Sequence, residues 1–311
     1  LALRPSAKWH SFIAGQFIQI TVERQGSLVT RTFSISSAPR HFEQSGIIEL
    51  SIRILNDGLM TPWIYDNVNA ADTVYVSQAS GEFTLSSLVD RKLFLAGGSG
   101  ITPIRSMLNE NLGADWFKKS TLLFYVNNAD ETLFTDDIKR YQDAGLNCQV
   151  IYSDDSGFIS EQHLADYCPD FRQFESYVCG PSAMIEASLN ILRESSISEE
   201  NIHFEYFGAA PLSSSLVDTG YDDEMIQVDY LSSNKQVQFN PNDLPQTLLD
   251  LAEQEGLKPV SGCRIGVCHQ CICKKKQGRI YNTKTKQYSD TGAEEIQLCL
   301  SVPVGHVELE L

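Results

Sequence analysis

No apolar run in this chain approaches the ~20 residues that a membrane-spanning helix needs, which speaks against insertion into a bilayer. Basic residues are scarce: 24 Lys and Arg stand against 40 Asp and Glu, for a net charge of −16. A surface of that sign repels phosphate backbones, so it argues against nucleic-acid binding and fits a protein that meets a basic partner surface. The 6 histidines never pair at His-x3-His spacing, so oxygen chemistry at a histidine-held metal has to occur elsewhere. No internal repeat and no secretory leader are legible, and a cytoplasmic location is expected. Leu1-Ala2-Leu3 already alternates like the end of a strand, so an upstream segment is expected.

At 311 residues, with 42% hydrophobic and 21% charged residues, the chain suits two or three globular domains. Three blocks follow one another. Residues 1–90 hold short alternating runs, Gln16 to Val22, Leu28 to Ile35, Ile47 to Ile54 and Val74 to Val76, which read as an antiparallel barrel or sandwich. Residues 91–208 change character. Lys92 to Ala96, Thr121 to Val126, Cys148 to Tyr152 and Ser176 to Cys179 are buried-type strands alternating with helical stretches, as in a parallel α/β sheet. Residues 209–222 are small and polar, the composition of a linker, and 223–311 form a last domain.

That last domain carries Cys263-x4-Cys268-x2-Cys271 and, after 27 intervening residues, Cys299. The spacing wraps four thiolates around a plant-type [2Fe-2S] cluster and makes the chain an electron carrier. Gly262 and Gly266 provide the sharp bends such a loop requires. A structural zinc site is the alternative use of four thiolates, although zinc favours two tight Cys pairs and Cys299 has no near partner in sequence. Cys273 reads as an extra thiol. The basic run Lys274-Lys275-Lys276 reads as a solvated strand end, with a docking edge as the alternative.

Gly97-Gly98-Ser99-Gly100-Ile101-Thr102-Pro103 follows a buried strand and precedes a helical run. With Thr102 as cap and Pro103 in the first turn, free amides at the positive end of the helix dipole would face a pyrophosphate. Many α/β proteins use such a turn for geometry alone. In Arg31-Thr32-Phe33-Ser34-Ile35, period-2 geometry puts Arg31, Phe33 and Ile35 on one face and Thr32 and Ser34 on the other. A flat ring with a phosphate tail could meet an aromatic, hydroxyls and a guanidinium together there; a plain barrel strand with an exposed Arg is the alternative.

In this order the motifs resemble those of the ferredoxin-NADP reductase superfamily, in the branch with a C-terminal plant-type ferredoxin domain. Arg31 to Ser34 resembles that family's flavin-binding signature, and Gly97 to Pro103 its nicotinamide-dinucleotide turn. Cys179-Gly180-Pro181-Ser182-Ala183-Met184 resembles its Cys-Gly-Pro-x-x-Met motif, Gly58 to Ile64 its flavin-phosphate helix start, and Ala79 to Phe83 a degraded Gly-Pro-x-Gly-x-Phe loop. The resemblance implies an antiparallel β-barrel flavin domain, an α/β parallel-sheet nucleotide domain and an α+β, β-grasp ferredoxin domain. It implies that Ser34 hydrogen-bonds near flavin N5, that Arg31 contacts flavin phosphate with Thr32, Phe33, Gly58 and Thr61 around the cofactor, and that Thr102 and Cys179 flank the nicotinamide. Gly97, Gly98, Gly100, Gly180 and Pro181 would line the dinucleotide, and Tyr206 or Phe207 would cover the flavin ring; core packing of these two aromatics fits equally well.

Related proteins that read the 2'-phosphate of NADPH place cations where this chain has Asn128 and Asp154. An Asp suits a ribose hydroxyl, so NADH is expected and NADPH is the alternative. The Gly58 to Thr61 start points to FAD, with FMN as the alternative. A separate acceptor protein is implied, and the cluster loop resembles reductases of di-iron desaturases or oxygenases. A Rieske dioxygenase or the hybrid cluster protein are alternative acceptors, and a non-catalytic redox-sensing module is the alternative of another class.

Overall fold

Strands near either end of the nucleotide-binding region open on charged residues that never reach water. The structure, a computed structural model, describes residues 1–311 except 25–26, 57, 59, 87–88, 208–224, 241–245, 263, 265 and 267–268. The expected linker and two of the four expected cluster ligands, Cys263 and Cys268, therefore lie outside the described residues. The chain divides into two units, Leu1–Phe207 and Gly208–Leu311.

The first unit begins with the barrel. Phe17–Arg24 pairs antiparallel with Ser27–Ser34 and with Tyr75–Val76, Ala2–Leu3 pairs with Ile48–Glu49, and isolated bridges link Phe17 to Ser80 and Ile35 to Leu50. Inward residues Ile18, Ile20, Val22, Ile35, Ile48 and Leu50 fill its core, with Trp9 and Phe12 closing one side. The run expected to be a strand from Ile47 to Ile54 pairs only at its start, with one further bridge at Leu50, and its end from Arg53 onward lies exposed with no strand beside it among the described residues.

Five parallel strands follow, in the spatial order Ile202–Tyr206, Glu175–Gly180, Lys92–Gly97, Thr121–Val126, Asn147–Tyr152. Successive side chains of each strand serve opposite faces. Phe94, Ala96, Leu122, Phe124 and Tyr177 pack on the helix Ile101–Glu110 side, whereas Leu93, Leu95, Leu123 and Val178 pack under Ser182–Glu194. Both faces of the three central strands are covered, so these are buried along their whole length. The order reverses between Lys92–Gly97 and Glu175–Gly180, the crevice where open α/β sheets bind ligands.

At the other end of those two strands, Lys92 and Glu175 are buried and paired with each other. Ser86 donates to Glu175 at 2.5 Å, His203 Nε2 lies 2.7 Å from it, and Lys92 donates to the Ser86 carbonyl at 2.9 Å. A buried pair of this kind needs every partner, since removing one leaves a bare charge at a cost of about 3–5 kcal/mol.

The second unit is a mixed sheet in the order Lys235–Phe239, Ile226–Tyr230, Ser301–Leu309, Ile272–Asn282, Gln287–Tyr288, with Glu294–Gln297 added to Ile272–Asn282. The helix Leu248–Gln254, opened by a capping box of Thr247 and Asp250, lays Leu248, Leu249, Leu251 and Ala252 on that sheet. One helix grasped by a mixed sheet is the β-grasp arrangement. Among the described residues, no helix is long and apolar enough to cross a membrane.

Candidate cofactor sites

The two turns at the sheet's reversal point are fitted to each other through glycines. A Cβ on Gly100 would lie 2.1 Å from the Cys179 carbonyl oxygen, and one on Gly97 would lie 2.4 Å from Met184 Sδ and 2.7 Å from Pro181 Cδ. No larger residue fits at either position, so the turns from Gly97 to Pro103 and from Cys179 to Met184 form one floor. Gly98 differs from its neighbours: its φ is +50°, and a Cβ there would meet nothing nearer than Arg53 Nη1 at 3.9 Å. A cation beside a glycine turn that leads into a ten-residue helix suits an anionic ligand such as a pyrophosphate. Arg53 was not among the residues the sequence singled out. It sits in an exposed stretch of the barrel, far in sequence from the turn it approaches, so spacing gave no sign of it.

Thr102 does not cap this helix, contrary to expectation. Gly100 occupies the cap position and the Thr102 hydroxyl donates to the Ser99 carbonyl at 2.9 Å, tightening the turn instead. Pro103 does fall in the first turn. The same helix ties the nucleotide turn to the barrel. Ser106 Oγ donates to the Ser37 carbonyl at 2.6 Å, and Arg105 donates to the Ser36 carbonyl at 2.8 Å while pairing with Asp137 at 2.5 Å. Ser36 and Ser37 continue the strand that ends at Ser34, so the two expected cofactor segments share a rigid seam.

On that strand Phe33 and Ile35 pack against the barrel core, and Ser34 is buried on the other side. Thr32 Oγ1 is buried and has no hydrogen-bond partner among the described residues. A buried hydroxyl with nothing to bond is costly and fits a site that a polar ring edge completes. Arg31 Nη1 donates to the Thr30 carbonyl at 2.8 Å. Thr61 opens the helix Thr61–Asn67, its hydroxyl accepting from Leu55 N at 3.0 Å, and Gly58 is held by a bond from its N–H to Leu55 O at 2.7 Å.

Cys179 is buried beside Glu205, its partner across the parallel pair Glu175–Gly180 and Ile202–Tyr206. Glu205 Oε2 is buried without a hydrogen-bond partner among the described residues, and burial pushes this carboxyl up to about 8. Burial, and then the neighbouring Glu205, hold the Cys179 thiol well above its ordinary value, so it stays protonated. Glu205 is a second residue the sequence left unassigned; its only signal was a place beside Tyr206 and Phe207. Tyr206 donates to Glu186 and packs on the sheet, whereas Phe207 is exposed. Asp154 follows the strand Asn147–Tyr152, its carboxylate accepting from the Asn128 side chain at 3.3 Å at the adjacent strand's end.

In the second unit, Cys271 and Cys299 are buried with their sulfurs 3.3 Å apart. Two thiols this close, one following the loop that bends at Gly266 with φ +76° and the other brought in by the turn Leu298–Leu300, fit ligands of one iron centre. Cys273 lies inside the unit's core and burial raises its thiol, as suits a packing residue. The Lys274 to Lys276 run is not a uniform solvated edge. Lys275 is completely buried, and only Lys274 and Lys276 face outward.

Comparison with known proteins follows the same division. Residues 1–85 match the oxidoreductase FAD-binding domain family, 94–189 the oxidoreductase NAD-binding domain family and 232–304 the 2Fe-2S iron-sulfur cluster binding domain family. The chain belongs to the ferredoxin-NADP reductase superfamily, in its branch with a [2Fe-2S] domain. It is an oxidoreductase built on FAD, NAD and iron-sulfur binding domains. The glycine betaine monooxygenase reductase subunit of Chromohalobacter salexigens is 26% identical over 96% of this chain and 87% of its own. An NADPH oxidoreductase of Mycobacterium tuberculosis is 23% identical over 96% of this chain and 76% of its own. Among solved structures, phthalate dioxygenase reductase shares the fold with a TM-score of 0.62, at 18% identity over 98% of this chain and 90% of that one.

Proposed function

We propose that this protein carries electrons from NADH to a separate oxygenase, with residues 1–90 holding FAD, 91–208 the dinucleotide and 223–311 the cluster. The observation that carries the reading is the joining of the Gly97 and Cys179 turns at the sheet's reversal point, tied by Arg105 and Ser106 to the strand that ends at Ser34. When bound, the flavin accepts two electrons as hydride and parts with them singly, which suits a one-electron cluster. This chain's residues position and exclude. Arg53 and the Gly97 to Pro103 turn hold the pyrophosphate, Asp154 with Asn128 holds the adenosine ribose, and Ser34, Thr102 and Cys179 frame the place where the two rings meet. Phe207 covers the ring, and protonated Glu205 behind Cys179 keeps negative charge away from it. Arg31, Thr32, Gly58 and Thr61 line the flavin, and Cys263, Cys268, Cys271 and Cys299 ligate the cluster.

Relatives named as monooxygenase reductase subunits support an oxygenase as acceptor. The test is reconstitution with purified oxygenase components of the di-iron and the Rieske type, on protein shown to hold one flavin and two irons per chain. Turnover with one of them supports the proposal and names the acceptor class. Zinc in place of iron, or no electron transfer to either, would refute it.

A further inference from the structure

The strand Ile272–Asn282 faces the wrong way for its composition. Ile272 and Lys274 point outward, and Cys273 and Lys275 point into the domain. A bulge around Gln277 and Gly278 breaks the pairing with Ser301–Leu309, and a Cβ on Gly278 would lie 2.1 Å from the His306 carbonyl oxygen. Into the space beside that bulge goes the Lys275 ammonium. It donates to the carbonyls of Gly278 at 2.7 Å, Asp290 at 2.6 Å and Gly292 at 2.8 Å, and pairs with the Glu294 carboxylate at 3.0 Å. An ammonium has three protons, and here each has a carbonyl.

Glu294 is where the strand Glu294–Gln297 begins, directly opposite Lys275. Three residues on, Gln297 pairs with Ile272, and its side-chain amide donates to the Gly266 carbonyl at 3.0 Å and lies 3.2 Å from His269 Nδ1. Leu298 N then donates to the Cys271 carbonyl at 3.0 Å, and Cys299 follows. One short strand thus grips the cysteine loop and delivers the distant cysteine to it. Its other end is fixed to the domain through Lys275.

We propose that Lys275 is the positioning residue for the cluster's last thiolate, pinning the strand whose far end carries Cys299. The inference rests on the reading that Cys271 and Cys299 hold the cluster. Metal sites depend on such outer supports, whose loss commonly weakens the metal's hold by about 10–100-fold.

The experiment uses the full-length holoprotein and compares Lys275→Met, Lys275→Met with Glu294→Gln, Glu294→Gln alone and Lys276→Met. Iron release to a ferrous chelator under native conditions and the EPR g values of the dithionite-reduced cluster are measured. Lys275→Met should release iron about tenfold faster or more and shift the g values of the cluster it retains. The double variant conserves net charge and should stay as labile as Lys275→Met. Lys276→Met, whose lysine lies at the surface against Glu310, should behave as the unmodified protein. If Lys275→Met fails to fold, Glu294→Gln decides, and faster release is expected of it. Unchanged release and g values, or a double variant restored to the unmodified rate, would overturn the inference. Unmodified protein without two irons would instead overturn the cluster reading itself.

Discussion

Gly100 meets the carbonyl of Cys179 so closely that a Cβ would lie 2.1 Å from that oxygen and 2.6 Å from Gly180 N. Two turns separated by most of a domain in sequence therefore share one surface. Replacing Gly100 with Ala must push backbone against backbone, with no flexible side chain to yield. The expected result is a loss of about 1–3 kcal/mol in stability and a KM for NADH raised about tenfold, with flavin content retained. Thermal unfolding and steady-state kinetics with ferricyanide check both.

Asp154 accepts a hydrogen bond from Asn128, which presents a carboxylate and an amide together at the ends of two adjacent strands. A ribose hydroxyl can join that pair, and a 2'-phosphate would be repelled. Asp154→Arg should shift the ratio of kcat/KM for NADPH over NADH upward by about tenfold or more, some 1.4 kcal/mol. Better kcat/KM with NADPH in the unmodified protein would contradict the assignment.

Glu205 gives a pH dependence whose sign follows from burial. Its carboxyl, pushed up to about 8 in the folded chain, stays protonated while the unfolded chain ionises above the ordinary carboxylate range. Stability from this group is therefore full in acid and is lost as pH rises toward about 8, at up to about 1.4 kcal/mol per pH unit. Glu205→Gln should flatten that fall between about pH 4.5 and 8. Tryptophan fluorescence during urea unfolding reads it cleanly, since Trp9, Trp63 and Trp116 all belong to the unit that contains Glu205. A slope unchanged by the substitution would contradict it.

The sequence was most legible where one rule acts alone. Thr121–Val126 was read to the residue, because a strand buried on both faces is a plain apolar run between polar ends. It was less legible where tertiary contacts choose among local options. Ile47 to Ile54 alternates like a strand along its length, yet only its start pairs, and its end from Arg53 onward lies exposed. Thr102 had the chemistry of a cap and was given another bond. Lys275 looked like one of three surface lysines, and only its alternation with Lys274 onto the buried face of Cys273 sets it apart. Arg53 and Glu205 were hidden for the same reason: each acts on a residue far away in sequence.

In the proposed function the work is divided, hydride chemistry in one unit and one-electron export through the cluster in the other. Cys299→Ser tests it directly, with NADH as donor, flavin content verified, and two acceptors compared side by side. Ferricyanide can draw electrons from the flavin, whereas a one-electron protein acceptor depends on the cluster. Ferricyanide reduction is expected to stay within about twofold of the unmodified protein while reduction of the protein acceptor falls by about two orders of magnitude. A parallel loss of both activities in protein that still holds its flavin would contradict it.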